Sequence, residues 1–565
     1  MKHLIRITTA ISLFAMAPPA AAQSASAASD AARQDAVVSQ AMRTYQQSLA
    51  AITESVTAAE QPGTQSGGIR ELALEEAVTL ALEKNLDIAV ARLEPLSVDL
   101  LVAGVRNTYR PAFTSTLGLR DQYQLPTSSL NGGTKVNNGT KVYNFGLAQS
   151  VSKFGGSYTV NWSNSRLETS NTFSTFNPSY TTNLVAAYAQ PLMRGFKIDN
   201  TRQQLQINLI NRDISDESAR ATITQTLANV RNAYWDLVFA ISAVDVAQRA
   251  TDLADKLVED NQARVEVGTL APLDIVQAQA EAATRRQNLA AAEATAHTAE
   301  LALKRYIVSG TDDAMWRQEI RPVDLPSLQP APTDVEGAVR TALAQRTDII
   351  TARKNLDASD VTINYFKNQA KPALDLNASY GAQGLGGTAI VRTGPLGNQT
   401  ISQVIPGGYA DALSLLKALD YPTWNLNIAM SYPIGGNQAE AQHARAKIQR
   451  TQATTRMRAL EIQIAAEVAN AALTVQSNLK RVDAATAARE LAQKRLEAEQ
   501  SKFEVGMSTN FFVVQAQRDL RDAQNTELRA LADYRKSLVN FERAQQAPAG
   551  GGGGALSAST GGGSQ

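Results

Sequence analysis

The 565-residue chain contains no cysteine and only three histidines. The missing thiols exclude disulfide frameworks and thiolate metal sites. Of the histidines, His3 belongs to an export signal, while His297 and His443 stand singly on charged or alanine-rich segments. Neither sign of charge is in excess, with 54 basic against 53 acidic residues. That balance argues against a nucleic-acid partner, which calls for a basic surplus on one face. Aromatic residues make up 6% of the chain. No apolar run reaches the roughly 18 residues of a membrane-spanning helix, which leaves open a β-barrel, whose strands signal more weakly. Zinc motifs, phosphate loops and nucleophile elbows are missing as well, and the glycine-rich "GGTAIVRTGPLGNQ" lacks the lysine of a P-loop. An enzyme is therefore not predicted, and no cofactor or metal is implied.

What is present begins with "MKHLIRITTAISLFAMAPPAAAQ", a basic start, an apolar stretch and an A-x-A site, which predicts a secretory signal peptide over residues 1–22. With no cysteine after the cleavage site, no lipid anchor is expected there. Residues 23–68 form an alanine-rich segment closing on the linker "EQPGTQSGG", and residues 547–565 a glycine-rich tail expected to be flexible.

Between these ends the chain repeats itself. "EVGTLAPLDIVQAQ" at Glu266 returns 238 residues later as "EVGMSTNFFVVQAQ" at Glu504, and "AVTLALEKNLDIAVAR" at Ala77 returns as "AVRTALAQRTDIITAR" at Ala338. The repeats span residues 69–330 and 331–546, each running helix, strands, long helix, turn, helix. Strands are expected within 112–190 and 373–432, long helices over 202–267 and 439–505, and half-length helices over 273–308 and 511–545. Leu227, Val230, Tyr234, Leu237, Ile241 and Val244 alternate three and four apart, as in a coiled coil, and the spacing recurs at Ala465, Val468, Ala472, Val475, Leu479 and Val482. At 1.5 Å per residue each long helix would extend roughly 100 Å. The prolines of "RPVDLPSLQPAPTD" preclude helix and mark a waist, after which a half-length helix is predicted from Asp334 to Asn368.

The strand regions alternate with a period of two. Leu374, Leu376 and Tyr380, and likewise Trp424, Leu426, Ile428 and Tyr432, fall on one face, opposite asparagines and serines. Aromatics at the ends of an aliphatic stripe suit a lipid-facing strand, although a sandwich sheet gives the same alternation. Phe113–Leu119 and Leu184–Tyr188 are the counterparts in the first repeat, giving four strands per chain. A further hairpin, Tyr143–Val151 with Tyr158–Trp162, either adds two strands or decorates an external loop.

At the corners, Gly268 and Gly506 suit the left-handed stop of a helix, Pro272 the first position of the next, Thr509 or Asn510 a cap, and Asp274 a first turn facing the helix dipole. These paired corners, the paired "AV…AL…DI…AR" helices and "QPLMRG" after a strand resemble the TolC-like outer membrane factors, over about residues 70 to 545. The resemblance implies a mixed fold: a trimeric transmembrane β-barrel continued by a coiled-coil α-helical barrel. It further implies a homotrimer in the outer membrane of a Gram-negative bacterium, working with a periplasmic adaptor and an inner-membrane efflux or ABC transporter in efflux or type I secretion. A periplasmic coiled-coil adaptor without its own barrel is the alternative. Asp274 matches an aspartate that in relatives helps close the mouth. Where those relatives place a tyrosine, an arginine and two aspartates at the second corner, this chain has Phe503, Ser508, Phe512 and Gln515. The resemblance thus makes Asp274, Phe503, Phe511, Phe512 and Gln515 the entrance residues, with an apolar constriction by Phe511 and Phe512 replacing an acidic ring, or those rings merely packing the hairpin.

Overall fold

A computed structural model describes residues 68–126, 134–267, 271–324, 334–395 and 399–548. The signal peptide, the segment up to residue 67, Gly268 and the tail beyond 548 lie outside them. The chain divides into two compact units that cut across the sequence repeats: Met1–Val98, Arg212–Lys354 and Thr455–Gln565 form one, Asp99–Asn211 and Asn355–Thr454 the other.

The first unit is helical. Its elements are β1 (Ile69–Leu72), α1 (Leu74–Lys84), the start of α2 (Leu86–Asn107), most of α3 (Asn200–Glu266), α4 (Pro272–Ile307), α5 (Ala314–Arg317), β6 (Glu319–Pro322), α6 (Val335–Gln345), the start of α7 (Thr347–Gln369), most of α9 (Gln438–Glu504) and α10 (Asn510–Gln546). Both α3 and α9 have 67 residues. The three-four spacing read from α3 becomes burial: Val230, Tyr234 and Leu237 sit in a core with Leu72, Leu303, Ile307 and Ile320. In α9, Val468 packs with Ala338, Ile349 and Ala544, and Val475 and Val482 with Tyr534. The waist segment holds a strand that its prolines had concealed, since β6 pairs in parallel with β1. Tyr234 ties that strand pair to α3. Its hydroxyl lies 3.0 Å from the Leu72 carbonyl and 2.7 Å from Asp324 Oδ2. Burial, and then the bond to the Asp324 carboxylate, push this phenol well above its ordinary range.

The helix expected from Asp334 to Asn368 is broken. Arg346 is extended between α6 and α7, as Asn85 is between α1 and α2. The two positions are equivalent in the repeats, and both send a side chain to the end of a half-length helix. Asn85 Nδ2 donates to the Tyr306 carbonyl at 3.0 Å, and Arg346 Nη1 to the Ala544 carbonyl at 2.9 Å. Terminal helix carbonyls have no partner of their own, so each break supplies one. Arg346 is almost fully buried and also donates to Asp348 and, at 2.6 Å, to Glu467.

The second unit carries an antiparallel sheet of β2 (Ala112–Gln124), β3 (Val136–Ser150), β4 (Ser157–Thr169), β5 (Phe176–Pro191), β7 (Ala373–Thr393), β8 (Thr400–Ile405) and β9 (Pro422–Ser431). The order is β2-β3-β4-β5-β7, with β8 and β9 sharing the far edge of β7. β9 pairs Ala373–Ala382 and β8 pairs Ala389–Thr393, so among the described residues no strand pairs that edge between them. The sheet holds more strands than the four expected: the hairpin at 143–162, which the sequence left either in the sheet or in a loop, forms β3 and β4 between β2 and β5. Register puts one apolar face across every strand. Phe113, Leu147, Val160 and Ala186 lie in one row, and Tyr380 and Trp424 continue it. Leu374, Leu376, Leu426 and Ile428 belong to the same face, and Tyr432 follows β9 directly. The opposite face carries Thr116, Asn144, Ser163, Asn183, Asn377 and Asn427. At one end of the apolar face lies α8 (Tyr409–Ala418), which the sequence pattern did not reveal. Its Ala412 carbonyl comes so close to Gly384 that a Cβ there would collide with it, and Gly386 similarly abuts Gly408 and Ala412. Beneath it Tyr409 Oη donates to Asn164 Oδ1 at 2.7 Å.

Because Arg346 is charged and buried while Asn85 is neutral, the equivalent truncations should differ. Arg346→Ala is expected to cost about 3 kcal/mol by removing a buried charge from Asp348, Glu467 and the Ala544 carbonyl, leaving Glu467 only Arg543 at 3.7 Å, and Asn85→Ala about 1 kcal/mol. Thermal unfolding of the two variants checks this; equal shifts would count against the burial argument.

Candidate functional site at the hairpin corners

At the second corner, α9 ends in a Schellman motif. Gly506 takes φ +77°, Met507 N donates to Lys502 O at 2.7 Å, and Gly506 N donates to Phe503 O at 3.2 Å. Glycine is required there because a side chain strains that conformation. Thr509 precedes α10 but makes no side-chain cap, and Asn510 is buried with its Oδ1 unbonded, so the expected cap is not formed. Ser508 Oγ donates instead to Glu499, which Lys502 also binds. These two bonds hold the Glu499 carboxyl below its ordinary range. At the first corner Pro272 occupies N1 of α4, Ala271 the cap position, and Asp274 the first turn.

The entrance residues separate into two groups. Phe503 is 8% exposed, packed with Leu257, Leu496, Val513, Ala516 and Leu520. The Arg264 guanidinium lies 4.5 Å above its ring. Its spacing of seven from Leu496 places it on the core stripe, a signal the sequence carried. Phe511 and Phe512, by contrast, are 64% and 51% exposed, their rings edge to face at 5.6 Å. Val505 and Met507 add to the apolar tip, as do Val267, Leu273 and Val276 at the first corner. Gln515 donates to Asp519 at 2.8 Å.

Farther along the hairpins from the tips lies a charge cluster that sequence reasoning missed. Glu281 and Arg285 of α4 are buried, and Arg518 of α10 reaches across to Glu281, its Nε at 3.2 Å. Arg285 binds the same carboxylate. In sequence, an i,i+4 pair on an alanine-rich helix reads as a solvated face. Burial pushes the Glu281 carboxyl up, but the two guanidiniums outweigh it and hold the group below its ordinary range. Among the described residues no group of three or more His, Asp or Glu is placed to hold a metal ion. No described helix is long and apolar enough to cross a membrane.

The outer membrane efflux protein profile matches residues 135–308 and 338–545, which include both corners. The chain belongs to the outer membrane efflux protein family. This is a family of channel proteins, and its structural relatives are TolC-like outer membrane channels. The CmeC outer membrane channel of Campylobacter jejuni is 15% identical, with 84% of this chain and 85% of that chain covered at a TM-score of 0.59. The outer membrane protein VceC of Vibrio cholerae is 15% identical, with 84% and 96% covered and a TM-score of 0.57. The open state of the Neisseria gonorrhoeae MtrE channel is 17% identical, with 84% and 89% covered and a TM-score of 0.57. At these identities the likeness is one of fold. No curated protein sequence matches this member of the efflux family.

Glu281→Gln would leave Arg285 buried without its counter-charge, at an expected cost of about 3 kcal/mol. The folded carboxyl titrates below its unfolded value, so the bridge contributes fully above the ordinary carboxylate range and fades as pH falls through the depressed value. Thermal unfolding of both proteins across acidic pH should show their difference shrinking on acidification; a constant gap would refute the assignment.

Proposed function

We propose that this efflux-family chain is the exit duct of a tripartite efflux or type I secretion system. In this reading three copies form a passive channel through the outer membrane of a Gram-negative bacterium and into the periplasm. An inner-membrane transporter supplies the energy, and a periplasmic adaptor docks at the hairpin corners. The observation that carries the proposal is the sheet with one continuous apolar face, rings at its margins and an Asn/Ser/Thr face opposite, which is the division a barrel wall between lipid and water requires. The apolar tips support adaptor docking, since exposed apolar patches on otherwise polar hairpins mark contact surfaces. A periplasmic adaptor would share the hairpins but has no use for such a sheet.

In this duct Phe511 and Phe512 of three copies meet at the periplasmic mouth as an apolar constriction. The missing tyrosine hydroxyl, guanidinium and two carboxylates of the second corner support it, because the polar groups that remain there, Ser508, Glu499 and Lys502, are bonded to one another. Asp274 lies beside the mouth rather than in an acidic ring.

Arginine on the lipid side should be costly by about 2–4 kcal/mol at mid-membrane and well tolerated on the other face. Ile428→Arg is therefore expected to abolish recovery of trimers from the outer membrane, whereas Asn427→Arg should leave it intact. Cell fractionation and gel analysis read this out, and equal recovery of the two variants would sink the barrel. Phe512→Ala should raise the conductance of the closed channel in planar bilayers. An unchanged closed conductance removes the gate but not the duct.

A further inference from the structure

Resting on the duct reading, we propose that three copies close a barrel of eighteen strands, six from each chain, rather than the twelve that four strands per chain would give. The inserted hairpin is the reason. β3 and β4 pair along most of their length with each other and with β2 and β5. They continue the chemical division of the sheet: Tyr143, Phe145, Leu147, Trp162 and Val160 join the apolar face, and Asn144, Asn161 and Ser163 the polar one. Three rings cross the insertion on the apolar face, Phe113 to Phe145 at 6.3 Å and Phe145 to Trp162 at 5.8 Å. A hairpin lying in an external loop or folded into a lumen would have no cause to keep one oily face in row with its neighbours.

Closure follows from direction and edges. Successive strands alternate in direction across the whole order, so β2 and β9, the strands at the two sides, run oppositely. Neither has a strand on its outer edge among the described residues, and β9 is exposed throughout. The β2 edge of one copy therefore fits the β9 edge of the next in the same antiparallel sense, and an inserted pair of strands leaves that fit unchanged. Inside a membrane such edges cannot stay open. With strands about 4.8 Å apart and tilted about 40°, eighteen strands give a backbone diameter of about 36 Å against about 24 Å for twelve. Barrels of 16–18 strands leave an aqueous channel. The membrane portion of this duct is thus too wide to select its cargo, and selection falls to the periplasmic mouth.

The cysteine-free chain permits a clean test in full-length protein in the outer membrane. Directly paired residues lie within reach of a disulfide, whereas residues three lanes apart, about 14 Å, do not. Thr116→Cys with Asn144→Cys, and Ser163→Cys with Asn183→Cys, should each oxidise to a bond within one chain, read by mass spectrometry after digestion. Thr116→Cys with Asn183→Cys should not. If that last pair links while the first two do not, the hairpin lies outside the wall and the barrel has twelve strands. Electron cryomicroscopy of detergent-extracted trimers should then count eighteen strands; a count of twelve overturns the inference and leaves the duct standing. Monomeric protein that needs no detergent would overturn the duct itself.

Discussion

A sheet with one oily face, one polar face and two edges that no described strand pairs is not stable alone in water, and this constraint governs the rest of the molecule. The chain has few aromatics, yet Phe113, Tyr143, Phe145, Tyr158, Trp162, Tyr188, Tyr380 and Trp424 share that one face. Elsewhere the apolar content is mostly alanine and aliphatic residues, enough to pack helices against one another. Rings also serve the helical cores, Tyr234 and Trp235 in one and Tyr534 in another, but only on the sheet do they line one exposed face, where lipid contact would reward them.

Duplication supplies the second theme. Asn85 and Arg346 interrupt equivalent helices and reach equivalent carbonyls, but one does so with a neutral amide and the other with a buried charge that recruits Asp348 and Glu467. The corners diverge in the same way. The second tip presents Phe511 and Phe512 beside the Lys502–Glu499 pair, while the buried ionic cluster lies inward, where Arg518 and Arg285 share Glu281. Two copies of one supersecondary unit thus keep the backbone plan and exchange the chemistry that fastens it.

Much of this was legible in the residues. A spacing of 238 residues relates two helices of equal length, and alternation marked the apolar faces of β7 and β9. Pairing order was not legible, because alternation assigns faces and says nothing of neighbours; the hairpin at 143–162 could be seen as a hairpin without revealing its lane. The break at Arg346 was hidden because arginine is a good helix former, and its extended backbone is set by tertiary partners. α8 escaped notice because it is short, and its seat consists of the glycines of β7, which have no side chain to reveal a packing surface. The burial of Phe503 was available from helical phase and was overridden by its place at a corner.

In the proposed duct, the interrupted edge of β7 would set a waterline. Between Ala382 and Ala389 no described strand pairs that side, where Gln383 N reaches the Tyr421 carbonyl at 3.4 Å, and backbone without ladder partners is not tolerated facing hydrocarbon. Over the same stretch the outward positions turn from Leu184 and Trp162 to Thr182 and Asn164, and α8 settles on them. If lipid bathes this face, the acyl chains stop near Ala382, and everything beyond it, helix included, stands among headgroups and the water outside the cell.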